Sequence, residues 1–183
     1  MDAADKSRRI AVVADGLTAV RAIVVLPLFF ATAADAIELA AGLLAVAWWT
    51  DFLDGRCARL TPLPTRLGPW DLPIDTMVAA ALLGGLVAGD VLEGIPWGLV
   101  GLTLLVWYLW RRNPSASMTF QAMAYGFFLA RVWAEEPAWI GVLVATIGGI
   151  MLLDWHRFVD TTLPTFFAGF GVSSHPERPV EAD

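Results

Sequence analysis

Long apolar stretches separated by short polar links dominate the chain from about residue 12 to residue 154. Six windows are apolar and long enough to cross a hydrocarbon core of roughly 30 Å. They lie at residues 12–33, 37–58, 71–89, 95–110, 115–133 and 137–154, and the fourth is the shortest. Because the links have few residues, they leave no room for a soluble domain. The pattern therefore predicts an all-α integral membrane protein with six transmembrane helices in one bundle.

The composition agrees with a membrane location. Of the 183 residues, 57% are hydrophobic and only 16% are charged, and the mean hydropathy is +0.63. These values exclude an ordinary soluble domain, and a net charge of −6 gives no sign of a nucleic-acid partner. The first apolar stretch contains Arg21 and lacks a small-residue cleavage site, so we expect it to remain as a span. Cys57 is the single cysteine, which excludes a disulfide framework.

Basic and acidic residues alternate between successive links. One set of links and the N-terminal segment carry the basic residues Lys6, Arg8, Arg9, Arg56, Arg59, Arg66, Arg111, Arg112 and Arg157. The other set carries Asp35, Glu38, Asp90, Glu93, Glu135 and Glu136. The positive-inside rule then places both termini in the cytoplasm, which requires an even number of spans. We expect a membrane domain over residues 1–171, located in the plasma membrane if the source is prokaryotic, and a disordered cytoplasmic tail over residues 172–183.

Two pairs of aspartates stand at helical spacing near the ends of apolar windows. Asp51 and Asp54 are three residues apart, and Asp71 and Asp75 are four apart, so each pair shares one helix face. The charge pattern places both pairs at the cytoplasmic surface. Four carboxylates in one small volume repel one another unless protons or divalent cations neutralise them, and hard oxygen ligands favour Mg²⁺ or Mn²⁺ over zinc. The pattern predicts a metal site, although scattered helix caps or interfacial charges are an alternative.

The segment around these aspartates, DFLDGRCARLTPLPTRLGPWDLPID, resembles the signature of the CDP-alcohol phosphotransferase (CDP-alcohol phosphatidyltransferase) family. The residues that match the signature are Asp51, Asp54, Gly55, Ala58, Arg59, Gly68, Asp71 and Asp75. One spacing departs from it: two residues, Pro69 and Trp70, separate Gly68 from Asp71, where the family has three. In the first span Thr18, Arg21 and Pro27 also resemble family members, although a snorkelling arginine accounts for Arg21 equally well.

The resemblance implies an enzyme of phospholipid biosynthesis. Such a transferase moves a phosphatidyl-type group from a CDP-linked lipid, normally CDP-diacylglycerol, to a small alcohol and releases CMP. It also implies two Mg²⁺ or Mn²⁺ ions bound by Asp51, Asp54, Asp71 and Asp75, with Asp75 as the general base that acts on the alcohol. Gly55, Ala58 and Arg59 would contact the CDP moiety, and Arg59 would pair with the diphosphate. The resemblance also implies a homodimer, so we expect a homodimer here.

The acceptor alcohol is the part that the sequence determines least. Glycerol 3-phosphate is the leading expectation because it is a common acceptor in the family. Arg66, Arg111 and Arg112 are the basic residues available for its phosphate, although each is equally explained as a topology determinant. Thr76 follows the last aspartate, where many relatives with phosphorylated acceptors have Lys or Arg. Gln121 and Tyr125 could line a headgroup cavity, but we favour hydrogen bonding between helices.

Two non-catalytic functions are alternatives to the enzyme interpretation. A degenerate relative would bind metal or CDP-lipid without turnover, and the short spacing after Gly68 motivates it. A divalent-cation carrier would distribute polar residues along a path through the membrane, whereas these aspartates collect at one face. We also expect Gly84, Gly85, Gly148 and Gly149 to permit close helix packing or contacts between subunits.

Overall fold

The computed structural model describes residues 2–89, 100–103, 105–107 and 114–168, and every element in these ranges is helical. The helices are α1 (Ala3–Ala33), α2 (Ile37–Arg59), α3 (Asp71–Ala88), α4 (Pro114–Glu135), α5 (Pro137–Leu153) and α6 (Trp155–Ala168). A 3₁₀ turn at Gly68–Trp70 precedes α3, and α6 contains a π turn at Phe158–Thr162. Residues 100–103 and 105–107 are also helical. The all-α prediction is confirmed for the described residues.

Several predicted features lie outside the described residues. These are most of the fourth window, the tail at 172–183, and the charged residues Asp90, Glu93, Arg111 and Arg112. Within the described residues α1 begins nine residues before its apolar window, because a polar turn with an Arg9–Asp5 ion pair at 3.4 Å extends the helix. A hydropathy window detects only the apolar part of such a helix.

Within the described residues, two helical stretches, Ala4–Ala33 and Gly68–Ala88, are long and apolar enough to cross a membrane. A third candidate arises if α5 and α6 count as one span, but they bend by 84° at their junction. The count of six spans and the cytoplasmic position of the termini therefore stay predictions.

Helix α1 packs along both α2 and α3. Helix α4 packs on α3, and α5 contacts α2 and α4. The apolar core between them includes the fully buried side chains of Leu28, Leu44, Leu82, Phe128 and Leu143. This packing brings the second half of α2 and the first turns of α3 beside the middle of α1.

A tight turn joins α1 to α2. The backbone N–H of Ala36 donates to Ala31 O at 2.9 Å and that of Asp35 donates to Thr32 O at 3.1 Å, the pattern of a Schellman motif. Asp35 takes the left-handed conformation, with φ of 55°, that glycine usually supplies. Its carboxylate accepts a hydrogen bond from Arg131 of α4 at 3.0 Å. The turn is therefore tied to the bundle beyond the C-terminal end of α1.

The four glycines expected at helix contacts divide into two sets. A Cβ at Gly85 would lie 2.6 Å from Thr32 Cβ and 2.8 Å from Phe29 O, and one at Gly84 would lie 3.5 Å from the Phe29 ring. A Cβ at Gly148 or Gly149 would have no other atom within 4 Å among the described residues. Gly85 thus permits close packing of α3 on α1 within the subunit.

Substitution of Gly85 by alanine is expected to lower the free energy of unfolding by about 1–3 kcal/mol, because the added methyl meets backbone that cannot move aside cheaply. Thermal unfolding of the detergent-solubilised protein measures this. Gly141→Ala is the matched control, since its methyl would enter open space on α5. Equal melting temperatures for the two variants would contradict the close approach.

Candidate metal centre

The two aspartate pairs meet beside α1, against which both α2 and α3 pack. Asp51 and Asp54 belong to the second half of α2, whereas Asp71 is the first residue of α3 and Asp75 follows one turn later. One carboxylate oxygen from each of Asp51, Asp54 and Asp71 lies within 4.8 Å of the others. Carboxylates from two different helices therefore converge on one small volume: Asp51 and Asp54 from α2, and Asp71 from α3.

The link between the pairs is held against α1. The carboxylate of Asp15 accepts the backbone N–H groups of Arg66 at 3.2 Å and Leu67 at 2.9 Å. The 3₁₀ turn then runs directly into Asp71, so the link that is one residue shorter than the family signature still brings Asp71 to Asp51 and Asp54. Asp15 was not predicted to have a role, because nothing local in the sequence relates it to residues fifty positions later.

Arg21 of α1 lies in the middle of the four carboxylates. Only 1% of its side chain is exposed, so the interpretation as a snorkelling arginine is wrong. Its guanidinium pairs with all four aspartates: Nη1 with Asp51 and Asp75, and Nη2 with Asp54 and Asp71. The distances to Asp54 and Asp75 are 3.0 Å each. One turn earlier, Thr18 Oγ1 donates to Asp54 Oδ2 at 2.9 Å.

One guanidinium does not balance four carboxylates. Two like charges 4 Å apart repel by about 4 kcal/mol at an effective dielectric constant of about 20, so the ionised cluster requires more positive charge. The side chains of Asp51 and Asp71 remain 48% and 45% exposed, whereas that of Asp54 is 6% exposed. Each carboxylate gives one oxygen to Arg21, and the other accepts no hydrogen bond from the described residues. This all-oxygen donor set fits Mg²⁺ or Mn²⁺ approaching from the exposed side.

Gly55, Ala58 and Arg59 form the next part of the α2 surface. Arg59 Nη2 donates to Asp154 Oδ2 at 3.0 Å, and Ala58 is half-buried. A Cβ at Gly55 would lie 3.3 Å from Arg59 Nη1 and 3.4 Å from Arg157 Nη1. The structure therefore places two guanidinium groups over a glycine one residue after Asp54. Arg157 was predicted only to mark the topology, because its proximity to Gly55 depends on the bend between α5 and α6.

Among the residues that the structure describes, three cavities adjoin Asp51. One of about 170 Å³ is lined by Arg21, Asp75, Gln121 and Tyr125 together with apolar residues. A second, of about 270 Å³, is almost entirely apolar and is lined by Trp48, Tyr125, Ile147, Ile150 and Met151 in addition to Asp51. A third, of about 110 Å³, reaches Asp154, Arg157 and Thr162. Asp51 thus borders one cavity with several polar groups, one apolar cavity and one that reaches Arg157.

Gln121 and Tyr125 of α4 border the first cavity. We had favoured hydrogen bonding between helices over a cavity-lining role for these two residues. Gln121 Nε2 donates to Ser117 Oγ at 3.0 Å, and Ser117 Oγ shares a hydrogen bond of 2.8 Å with Thr76 Oγ1. The ring of Tyr125 packs edge-on against Trp48, with centroids 5.3 Å apart. The interhelical hydrogen bond is therefore made by Ser117, and Gln121 reaches it only within its own helix.

Comparison with known proteins adds one match. The family model for CDP-alcohol phosphatidyltransferases matches residues 11–168, which include every residue of the aspartate cluster and both arginines over Gly55. Neither a curated protein nor a solved structure matches the chain. The matched range covers most of the 183 residues. The chain belongs to the CDP-alcohol phosphatidyltransferase family, whose members are membrane-associated transferases of substituted phosphate groups that act in phospholipid biosynthesis.

Proposed function

We propose that the protein transfers a phosphatidyl group from CDP-diacylglycerol to a small alcohol and releases CMP. Family membership supplies the reaction class, which is phosphatidyl transfer from a CDP-alcohol to an acceptor. The observation that carries the assignment to this site is the convergence of Asp51, Asp54 and Asp71 within 4.8 Å, next to Asp75. Glycerol 3-phosphate is the acceptor that we expect.

In the proposed reaction the acceptor hydroxyl forms a bond to the lipid-bearing phosphorus while the bond from that phosphorus to the CMP oxygen breaks. Asp75 accepts the hydroxyl proton. Its side chain is 22% exposed and lines the 170 Å³ cavity, so an alcohol bound there lies within reach of its carboxylate. Gln121 and Tyr125 offer hydrogen-bonding groups that would orient the alcohol.

Two Mg²⁺ or Mn²⁺ ions, bound by Asp51, Asp54, Asp71 and Asp75, would supply neutralisation of the charge that develops on the attacking and leaving oxygens. The chain itself fixes the positions of the carboxylates, because two of them lie on α2 and two on α3. Positioning and electrostatic stabilisation provide most of the rate enhancement in phosphoryl transfer.

The CDP moiety is proposed to lie along Gly55, Ala58 and Arg59. A side chain at Gly55 would occupy the space that the Arg59 and Arg157 guanidinium groups now approach. Arg59 is paired with Asp154, and a diphosphate would offer it a more strongly charged partner with bidentate geometry. The apolar cavity beside Asp51 is the proposed location of the first part of the lipid chains.

The direct test measures CMP. Purified protein in detergent is incubated with CDP-diacylglycerol, Mn²⁺ or Mg²⁺ and a panel of alcohols that includes glycerol 3-phosphate, inositol phosphate and serine. We expect CMP release that requires both the metal and one acceptor, and that EDTA abolishes. Retained Mn²⁺ binding without CMP release for any acceptor would instead identify a catalytically degenerate relative.

We further propose that the aspartate site faces the cytoplasm and that the protein forms homodimers. The single cysteine tests the orientation, because Cys57 lies two residues before Arg59 on the same end of α2. A membrane-impermeant maleimide is expected to label Cys57 in inverted vesicles and not in intact cells, with Cys57→Ser as the control for other reactions. Labelling in intact cells would place the site on the opposite face.

A further inference from the structure

We infer that Arg21 is a positioning residue for the metal centre, which holds the four aspartates by one oxygen each and leaves their other oxygens for divalent cations. This inference rests on the proposed metal-dependent function. It assigns to a buried α1 side chain a part in a site whose carboxylates all come from α2 and α3.

The contacts of Arg21 divide each carboxylate into two sides. The guanidinium takes Oδ1 of Asp51, Asp71 and Asp75 and Oδ2 of Asp54. The remaining oxygens accept no hydrogen bond from the described part of the chain. Because Arg21 is fully buried while Asp51 and Asp71 are about half exposed, the guanidinium occupies the protein side of the cluster. The side towards water is left to other cations.

The geometry requires the planar guanidinium. Arginine has five donors in a rigid fork, and two of its nitrogens here serve two carboxylates each. A lysine ammonium is a compact charge on a flexible stem, so it cannot contact carboxylates on two helices in the same fixed arrangement. Thr18 reinforces the arrangement because it donates to the same Asp54 oxygen that Arg21 contacts.

A positioning role for Arg21 and competition between Arg21 and the metal predict opposite effects of its substitution on metal binding. If Arg21 aligns the outer oxygens, its substitution weakens metal binding, because the carboxylates repel one another and spread. If Arg21 merely competes with the metal for the same oxygens, its removal leaves more negative charge and strengthens metal binding. The affinity for Mn²⁺ therefore decides between them without any measurement of turnover.

The experiment titrates purified protein in detergent with Mn²⁺ and follows the free ion by electron paramagnetic resonance. Arg21→Lys is expected to weaken Mn²⁺ binding by about 10- to 100-fold, the range seen when residues behind metal ligands are changed. Thr18→Val should weaken it by a smaller factor, since only one of the donors to Asp54 is lost. Arg131→Lys is the matched control: Arg131 also bridges two carboxylates, Asp35 and Glu135, but lies beyond the far end of α1.

The outcomes separate this inference from the proposed function. Wild-type Mn²⁺ affinity in Arg21→Lys, or tighter binding in Arg21→Gln, would overturn the positioning role and leave the proposed enzyme intact. Failure of the wild-type protein to bind Mn²⁺ would overturn the metal site and this inference together. If both Arg21 variants unfold, Thr18→Val decides, and an unchanged Mn²⁺ affinity in that folded variant would count against the inference.

Discussion

Asp75→Asn is expected to reduce CMP release by at least about 100-fold, the lower end of what a general base contributes, while CDP-diacylglycerol binding persists. An asparagine has nearly the same shape as the aspartate but cannot accept the hydroxyl proton. Its carbonyl oxygen can still face Arg21 Nη1, which lies 3.0 Å from the Asp75 carboxylate, so α1 and α3 keep their contact. CMP release measures turnover, and the rise in melting temperature caused by CDP-diacylglycerol measures binding.

Asp160→Asn is the matched control for this change, since it makes the same substitution on the exposed surface of α6. It should keep the wild-type rate. A wild-type rate in Asp75→Asn would refute its assignment as the base. If the variant loses both CDP-diacylglycerol binding and turnover, Asp75 acts mainly in holding the substrate or the metal.

Asp71→Asn is expected to abolish Mn²⁺ binding and CMP release together. The Asp71 side chain is 45% exposed and contacts the described part of the protein mainly through Arg21, so its substitution removes a ligand without opening the core. The melting temperature of the metal-free protein should stay close to that of the wild type. Addition of Mn²⁺ should then raise the melting temperature of the wild type but not that of the variant.

The contrast between the two variants tests the division of roles among the aspartates. Asp75→Asn should retain measurable stabilisation by Mn²⁺, because it keeps Asp51, Asp54 and Asp71, whose oxygens lie within 4.8 Å of one another, whereas Asp71→Asn breaks this group at its open side. Equal stabilisation of Asp71→Asn and wild type by Mn²⁺ would contradict the proposed ligand set. The Asp160→Asn variant again serves as the control.

The elements and chemistry that depend on local sequence could be predicted. Apolar windows located α2, α3 and α5 to within a few residues, and the spacings of three and four placed each aspartate pair on one helix face. The signature around Gly55 identified the family. Each of these features is set by one continuous segment of the chain, and within a helix the spacing of residues fixes the relation between their side chains.

The features that the sequence did not reveal arise from contacts between distant segments. Arg21 is thirty residues from Asp51 and fifty from Asp71, and only the packing of α1 between α2 and α3 brings them together. A hydropathy window treats such a residue as one unfavourable charge in an apolar stretch. The available signal was Arg21 itself, a basic residue in the middle of the first apolar window of a chain whose motif collects four aspartates. Asp15 and Arg157 carried no comparable signal.

The 84° bend at Asp154 divides the site into two parts with separate supports. The carboxylates lie on α2 and α3, which share one core with α1, whereas Arg157 lies on α6, beyond the bend. Asp154 joins the two parts through its pairs with Arg59 at 3.0 Å and Arg157 at 3.7 Å. Changes around Arg157 are therefore expected to alter how the proposed anionic substrate is held while the proposed metal ligands stay in place. Within one such scaffold, the choice of substrate and the chemistry of transfer are free to evolve separately.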